Sequence, residues 1–479
     1  MATRMRGHIT TLRGVGRMAI DATMGLTDLV QALHTRIARG PTRLGGPVIA
    51  GAINGITDLV YDSVRSVTRA VGEGLDATLA QLGPLIAALS DDAGRGAAAQ
   101  SARPREALLA ALNGVLGDYL EQTANPLAIK MALRRDGLPL VLTREALLAA
   151  IEAPGPRIVV MVHGLCMSDL QWQRGVIARA RSVAADAVTS ALADTLTDPA
   201  GPPHDHGAAL ARDLGASVLY LHYNSGLHVS TNGQAFAAQL EALVAAWPVA
   251  IERLVIVGFS MGGLLARSAL HYGTAAGHAW PRHLQAMVFL GTPHHGAPLE
   301  RGGHWIDQLL ESTSYTAPFA RLGRVRSAGI TDLRHGSALD EDWHGRDRFA
   351  HGHDTRRPLP LPPDVACYAV AASAAHAKAN RPAVEPVRAH GERAVVFPGD
   401  GLVPVASALG RHDDPRLALA FDPSRAAIAW DCGHLDLLSS AAVYKQLRCW
   451  LAPADDMAAR AKEGARERPT RLTDAPVPP

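Results

Sequence analysis

The stretch Arg253-Leu254-Val255-Ile256-Val257-Gly258-Phe259-Ser260-Met261-Gly262-Gly263-Leu264-Leu265-Ala266 decides how the rest of the chain is read. Leu254 to Val257 is a short, largely β-branched apolar run, the pattern of a strand buried on both faces. It ends in Gly258-Phe259-Ser260-Met261-Gly262, a G-x-S-x-G, and the Ala- and Leu-rich residues after it predict a helix. A strand that reverses into a helix within so few residues leaves Ser260 at the apex in a strained backbone conformation. Side chains at 258 or 262 would collide with the neighbouring elements. The helix N-terminus behind Ser260 offers unpaired N–H groups where negative charge can develop. The context favours a nucleophilic Ser260 over a turn serine.

Outward from this stretch, the chain has 479 residues, 48% apolar and 19% charged, enough for one large α/β domain with additions or for two domains. A net charge of +2 gives no argument for nucleic acid. The four cysteines, Cys166, Cys367, Cys432 and Cys449, have no C-x-x-C spacing and lie in or beside apolar runs, so buried free thiols are expected. The N-terminus is basic without an uninterrupted apolar region behind it, and no stretch approaches the roughly 20 apolar residues that span a bilayer. A cytoplasmic location is expected.

Residues 1–125 read as an N-terminal amphipathic helical region. Gly25-Leu26-Thr27-Asp28-Leu29-Val30 returns as Gly55-Ile56-Thr57-Asp58-Leu59-Val60, each copy inside apolar residues at helical spacing. A third helix is expected at Leu75–Leu89, followed by a polar linker from Asp91 to Arg105. The arginines at 4, 6, 13, 17, 36, 39 and 43 would suit anionic headgroups, which leaves two readings open: helices that cover the catalytic domain, or a peripheral membrane contact. From Leu138 strands and helices alternate, with strands expected at 139–142, 157–162, 218–222, 254–257, 286–290, 365–369, 394–397 and 426–430. Helices are expected at 144–151, 173–196 and 233–247. This rhythm implies right-handed crossovers, a mainly parallel sheet and function at the carboxyl ends of the strands. Residues 299–362 interrupt it as a cap or lid. There Trp305, Ile306, Leu309 and Leu310 share one broad helical face, suited to line an acyl-binding wall. The charged, Pro-rich residues 453–479 read as a disordered tail.

Cleavage of an ester at a serine needs a nucleophile, a base, a group to orient the base, and an oxyanion hole. Each has a candidate just after a strand. Ser260 is the nucleophile and His434 the base. Asp400, 34 residues before His434, would hold the histidine's tautomer. The backbone N–H groups of Met261 and Leu165 would form the oxyanion hole, with Gly164 letting that peptide face the site. His434 is one of 21 histidines, and Gly399-Asp400-Gly401 is also good turn chemistry. Cys166 lacks a partnered base and reads as a small packed residue. His204-Asp205-His206 and His351-Gly352-His353-Asp354 lack further ligands at fixed spacing and read as loop histidines.

The set Val162-His163-Gly164-Leu165, Gly258-Phe259-Ser260-Met261-Gly262-Gly263, Leu290-Gly291-Thr292-Pro293-His294-His295-Gly296, Asp400-Gly401-Leu402-Val403-Pro404 and Gly433-His434-Leu435-Asp436 resembles an α/β-hydrolase of the bacterial lipase and esterase type. It is similar both to triacylglycerol lipases and to the group that includes the glycosylphosphatidylinositol inositol-deacylases. The resemblance covers residues 138–452, the expected catalytic domain. It implies the α/β-hydrolase fold, and Asp436 matches an aspartate that helps those lipases bind a structural calcium ion. The expected function is hydrolysis of carboxylic esters, small or lipid, with an apolar acyl chain, through an acyl-enzyme and with no cofactor required. Acyl transfer from the same intermediate is the nearest alternative. An idle hydrolase scaffold that works through its N-terminal helices is the more distant one.

Overall fold

A computed structural model describes residues 98–173, 204–297, 326–347, 354–375, 384–386 and 399–452. Nine strands form one sheet in the described residues: β1 (Ala132–Arg135), β2 (Leu138–Pro139), β3 (Arg157–Val162), β4 (Ser217–His222), β5 (Arg253–Phe259), β6 (Leu284–Leu290), β7 (Ala366–Ser373), β8 (Val384–Pro386) and β9 (Ala426–Trp430). Their spatial order is β2-β1-β4-β3-β5-β6-β7-β9-β8, with β5 in the middle. From β4 through β3, β5, β6 and β7 to β9 every pairing is parallel. The outer strands β1 and β8 pair antiparallel.

The helices are α1 (Ala98–Gln122), α2 (Arg144–Ala150), α3 (His206–Leu214), α4 (Val229–Ala246), α5 (Met261–Ala275), α6 (Ala328–Asp332), α7 (Val405–Ala408) and α8 (Ala441–Leu451). The two-residue period of the strands sorts their side chains between the two faces. Ile158, Val160, Leu254 and Ile256 join Phe236, Leu240 and Leu243 of α4 and Leu265 and Ala269 of α5. Val159, Met161, Val255 and Val257 join Leu210 of α3 and Val443, Leu447 and Leu451 of α8. A sheet covered on both faces explains why β5 reads as a continuous apolar run rather than an alternation. No described helix is long and apolar enough to cross a membrane.

Several expectations change. The polar linker to Arg105 is not a linker throughout, because α1 begins at Ala98 and runs through Pro104 to Gln122. Its apolar residues Leu109, Leu112, Val115, Leu116 and Leu120 pack in the same cluster as Leu165, Met261, Leu402 and Val403. The helix therefore belongs to the body of the fold. The sheet starts at Ala132, before residue 138, because Ala132 to Arg134 pair with Tyr220 to His222. The strand expected at 139–142 shrinks to β2, with Leu138 70% and Val141 65% exposed, because it pairs only with the short β1. Three cysteines are buried but Cys449 is exposed, since α8 turns Val443, Tyr444, Leu447 and Leu451 inward instead. The repeat and helices of residues 1–97, the helix expected after Gln173, the strand at 394–397 and the tail at 453–479 lie outside the described residues. So do Trp305, Ile306, Leu309 and Leu310.

Candidate active site

Ser260 sits between β5 and α5 with φ 52° and ψ −124°, a positive-φ conformation that residues with a Cβ rarely adopt. Its N–H donates to Leu290 O at 2.8 Å, which ties the turn to the end of β6. It occupies the N-cap position of α5, yet its side chain makes no capping hydrogen bond, so the hydroxyl is left for other chemistry. The glycines around it are required by close approach. A Cβ at Gly258 would stand 2.6 Å from the backbone of Gly263, and one at Gly262 would stand 2.4 Å from Val162 O. Helix α5 is thereby pressed onto the end of β3, with Gly164 directly beside the Ser260 side chain.

His434 begins a 3-10 turn, His434–Leu438, just beyond β9. Its Nδ1–H donates to Asp400 Oδ2 at 2.7 Å, with both side chains almost fully buried. The other carboxylate oxygen of Asp400 accepts from the N–H groups of Leu402 at 2.9 Å and Val403 at 2.7 Å. Asp400 is thus held in place by three donors rather than free to rotate. The His434 ring lies 4.8 Å from the ring of Phe259, the residue before Ser260. It also touches Gly291, where φ is +58° and a Cβ would come within 3.1 Å of its Cε1. Both neighbours adjoin Ser260: Phe259 through the chain and Gly291 through the hydrogen bond of Ser260 to Leu290. With Nδ1 donating to Asp400, Nε2 carries the lone pair that can accept a proton.

Met261 is the first residue of α5, so its N–H has no partner inside the helix. Leu165 is buried in the loop after β3. Neither N–H donates to another described residue. The next residue, Cys166, has φ 58°, and its N–H donates to Ser225 Oγ at 3.0 Å, which fixes the loop. Burial pushes the Cys166 thiol up to about 12, so it is inert packing. His163 in the same loop is fully buried, stacks on Tyr223 at 4.3 Å, and is driven down to about 3 by burial, with His222 adding to the effect.

Asp436 lies two residues after His434, where its Oδ2 accepts from Gly433 N at 2.9 Å and shapes the turn that carries the histidine. The one set of three closely placed ligand-type side chains among the described residues is Glu106, Asp169 and His222, elsewhere in the fold. His206 is not a loop histidine. It opens α3 fully buried, and its Nε2–H donates to Leu437 O at 2.8 Å, within the His434 turn. Sequence reasoning missed the burial of this residue, and it took the start of α1, up to Arg105, for a linker within the helical region expected over residues 1–125. Helical spacing at Leu109, Leu112, Leu116 and Leu120 was the available signal for α1.

A mainly parallel sheet, a strained serine at the tip of the central strand, and an aspartate and a histidine after later strands define an α/β-hydrolase-fold protein. Residues 154–357 match the family described as PGAP1-like alpha/beta domain, a span that includes Ser260 and the 163–168 loop and ends before Asp400 and His434. No curated protein matches the sequence. Among solved structures the chain is similar to lipase B of Aspergillus fumigatus at 11% identity and TM-score 0.31, covering 64% of this chain and 57% of that one. It is also similar to a lipase-esterase related protein of Clostridium acetobutylicum at 9% identity and TM-score 0.30, covering 62% and 95%. A thermophilic esterase shows 12% identity and TM-score 0.30, covering 61% and 88%. The chain thus spans little more than half the length of the Aspergillus lipase.

Proposed function

We propose that the protein is a serine hydrolase that cleaves carboxylic esters with an apolar acyl portion. The observation that carries this reading is the buried 2.7 Å bond from His434 to Asp400, beside a serine held in a strained turn. Ser260 Oγ attacks the ester carbonyl while His434 Nε2 takes its proton. Asp400 keeps the imidazole in the right tautomer and stabilises its charged form. The N–H groups of Met261 and Leu165 receive the developing oxyanion. His434 then protonates the leaving alcohol, and water attacks the acyl-Ser260 ester by the same steps in reverse order. The apolar residues flanking these groups, Leu165, Met261, Leu402 and Leu435, favour an apolar acyl chain over a charged one. Trp305, Ile306, Leu309 and Leu310 are proposed to complete its wall. The chemistry needs no metal or organic cofactor from the protein, and Asp436 stays a candidate calcium ligand.

A fluorophosphonate probe should label the wild type and not Ser260→Ala. Ser260→Ala and His434→Ala should each lower kcat on a soluble ester by about 10⁵–10⁶-fold, and Asp400→Asn by about 10⁴-fold. His434→Ala with near-normal turnover would sink the assignment. Product analysis with and without an acceptor alcohol separates hydrolysis from acyl transfer.

A further inference from the structure

Behind the 163–168 loop lies a buried charge cluster that the proposed chemistry does not use. Arg134 of β1 reaches Glu106 of α1 at 2.9 Å and, with the same Nη1, Asp169 at 3.2 Å. His222, the last residue of β4, stands between the same two carboxylates, with Nε2 3.6 Å from Glu106 and Nδ1 3.3 Å from Asp169. These side chains are between 2% and 16% exposed. Burial works against the charge on Asp169, but His222 and Arg134 outweigh it and hold the carboxyl below its usual range. Glu106, Asp169 and His222 also have the spacing of a metal site. The Arg134 guanidinium, however, already bridges the two carboxylates and supplies the positive charge a cation would bring.

What the cluster joins is informative. Asp169 opens the 3-10 turn Asp169–Gln173 that directly follows the 163–168 loop. Glu106 lies at the start of the described, packed part of α1. Eight residues further along, Gly114 presses on the loop itself: a Cβ there would stand 2.2 Å from Cys166 Sγ and 2.9 Å from Cys166 N. At the far side, Tyr223 beside His222 donates to His163 O at 2.9 Å. The loop that carries the Leu165 N–H is therefore gripped at both ends and from above.

We infer that Glu106, Arg134 and Asp169 are positioning residues that fix the Leu165 N–H in the oxyanion hole through helix α1. The inference rests on the serine-hydrolase reading above. Helix α1 then acts as part of the catalytic apparatus without touching the substrate. A donor that must meet an oxyanion only at the transition state is sensitive to small displacements, whereas binding of the ground-state ester is not.

Glu106→Gln keeps the shape and removes one charge, and Arg134→Lys keeps the charge and loses the fork. Both are assayed on a short p-nitrophenyl ester in the full chain, with rates normalised to folded protein by near-ultraviolet circular dichroism. The expected result is a fall in kcat of about 10- to 100-fold with KM within about 2-fold. The affinity for an alkylboronic acid, which forms a tetrahedral anion at the serine, should fall by the same factor as kcat. Wild-type kcat should be indifferent to a chelator. Normal kcat and boronate affinity in both variants would overturn the inference, as would a loss that merely tracks the folded fraction. A chelator-sensitive rate restored by a divalent cation would overturn it as well. If fluorophosphonate fails to label wild-type Ser260, it is the hydrolase reading that fails.

Discussion

The buried histidines set how the molecule meets acid. His163 and His206 are held down to about 3 by burial, and His294 lies well below the usual imidazole value because of burial and the neighbouring Arg267. All three are neutral when folded, whereas the unfolded chain protonates them near 6.5. The unfolded state therefore binds more protons, and stability is lost as pH falls from about 6.5 toward 3. At pH 5 His163 and His206 each cost about 2 kcal/mol. The urea midpoint should drop markedly between pH 7 and pH 5, and His206→Gln, which can still donate to Leu437 O, should flatten the slope. An unchanged midpoint would contradict the burial of these rings.

At the scale of elements, the β5–Ser260–α5 unit was legible because two independent patterns agree there. The apolar run can be buried on both faces only in a covered sheet, and glycine recurs where backbones meet. Gly262→Ala should cost about 1–3 kcal/mol and lower kcat, since the added methyl forces Val162 and His163 away from α5. Gly155→Ala, whose nearest neighbour would be at an ordinary 3.5 Å, should cost no more than about 0.5 kcal/mol. Equal urea midpoints for the two variants would refute the close-packing account. Asp400 and His434 were singled out for a similar reason, each standing in a Gly-containing loop late in the chain, and their side chains meet at 2.7 Å. The start of helix α1, up to Arg105, was misread because Pro104 and the charged residues around it look like a linker. Its apolar side chains are buried under neighbours distant in sequence, which no local pattern reveals. Cluster partners such as Glu106 and Arg134 were invisible for the same reason, being 28 residues apart.

For the whole molecule, the boundary of the folded unit moves upstream. Leu112, Val115 and Leu116 are at most 2% exposed and share a core with Met261 and Leu402. Asn113 bonds to Leu109 O and Leu127 O and accepts from Ile129 N, which closes the chain after α1 back onto it. Removing residues 1–97 should leave a folded protein that hydrolyses short soluble esters. Removing residues 1–122 should give an insoluble or unfolded product, because it bares the apolar surface beside Leu165. Soluble, active protein from the longer deletion would show that α1 is dispensable. Any attraction to anionic liposomes carried by the arginines of the first 43 residues should vanish with the shorter deletion alone, so catalysis and lipid binding can be scored on one variant.

The uneven exposure of the four cysteines turns the protein into its own conformational counter. Cys166, Cys367 and Cys432 are buried and each pushed up to about 12, whereas Cys449 stands exposed on α8. A thiol reagent at neutral pH should consume one equivalent quickly and stop. The remaining three should react only as the core opens, at a rate that reports the frequency of that opening. A dye placed on Cys449 would ride on the helix that follows the His434 turn, and its emission would follow that turn without any engineered residue. More than one fast equivalent in the native protein would show that the layer around the sheet breathes far more often than its packing implies.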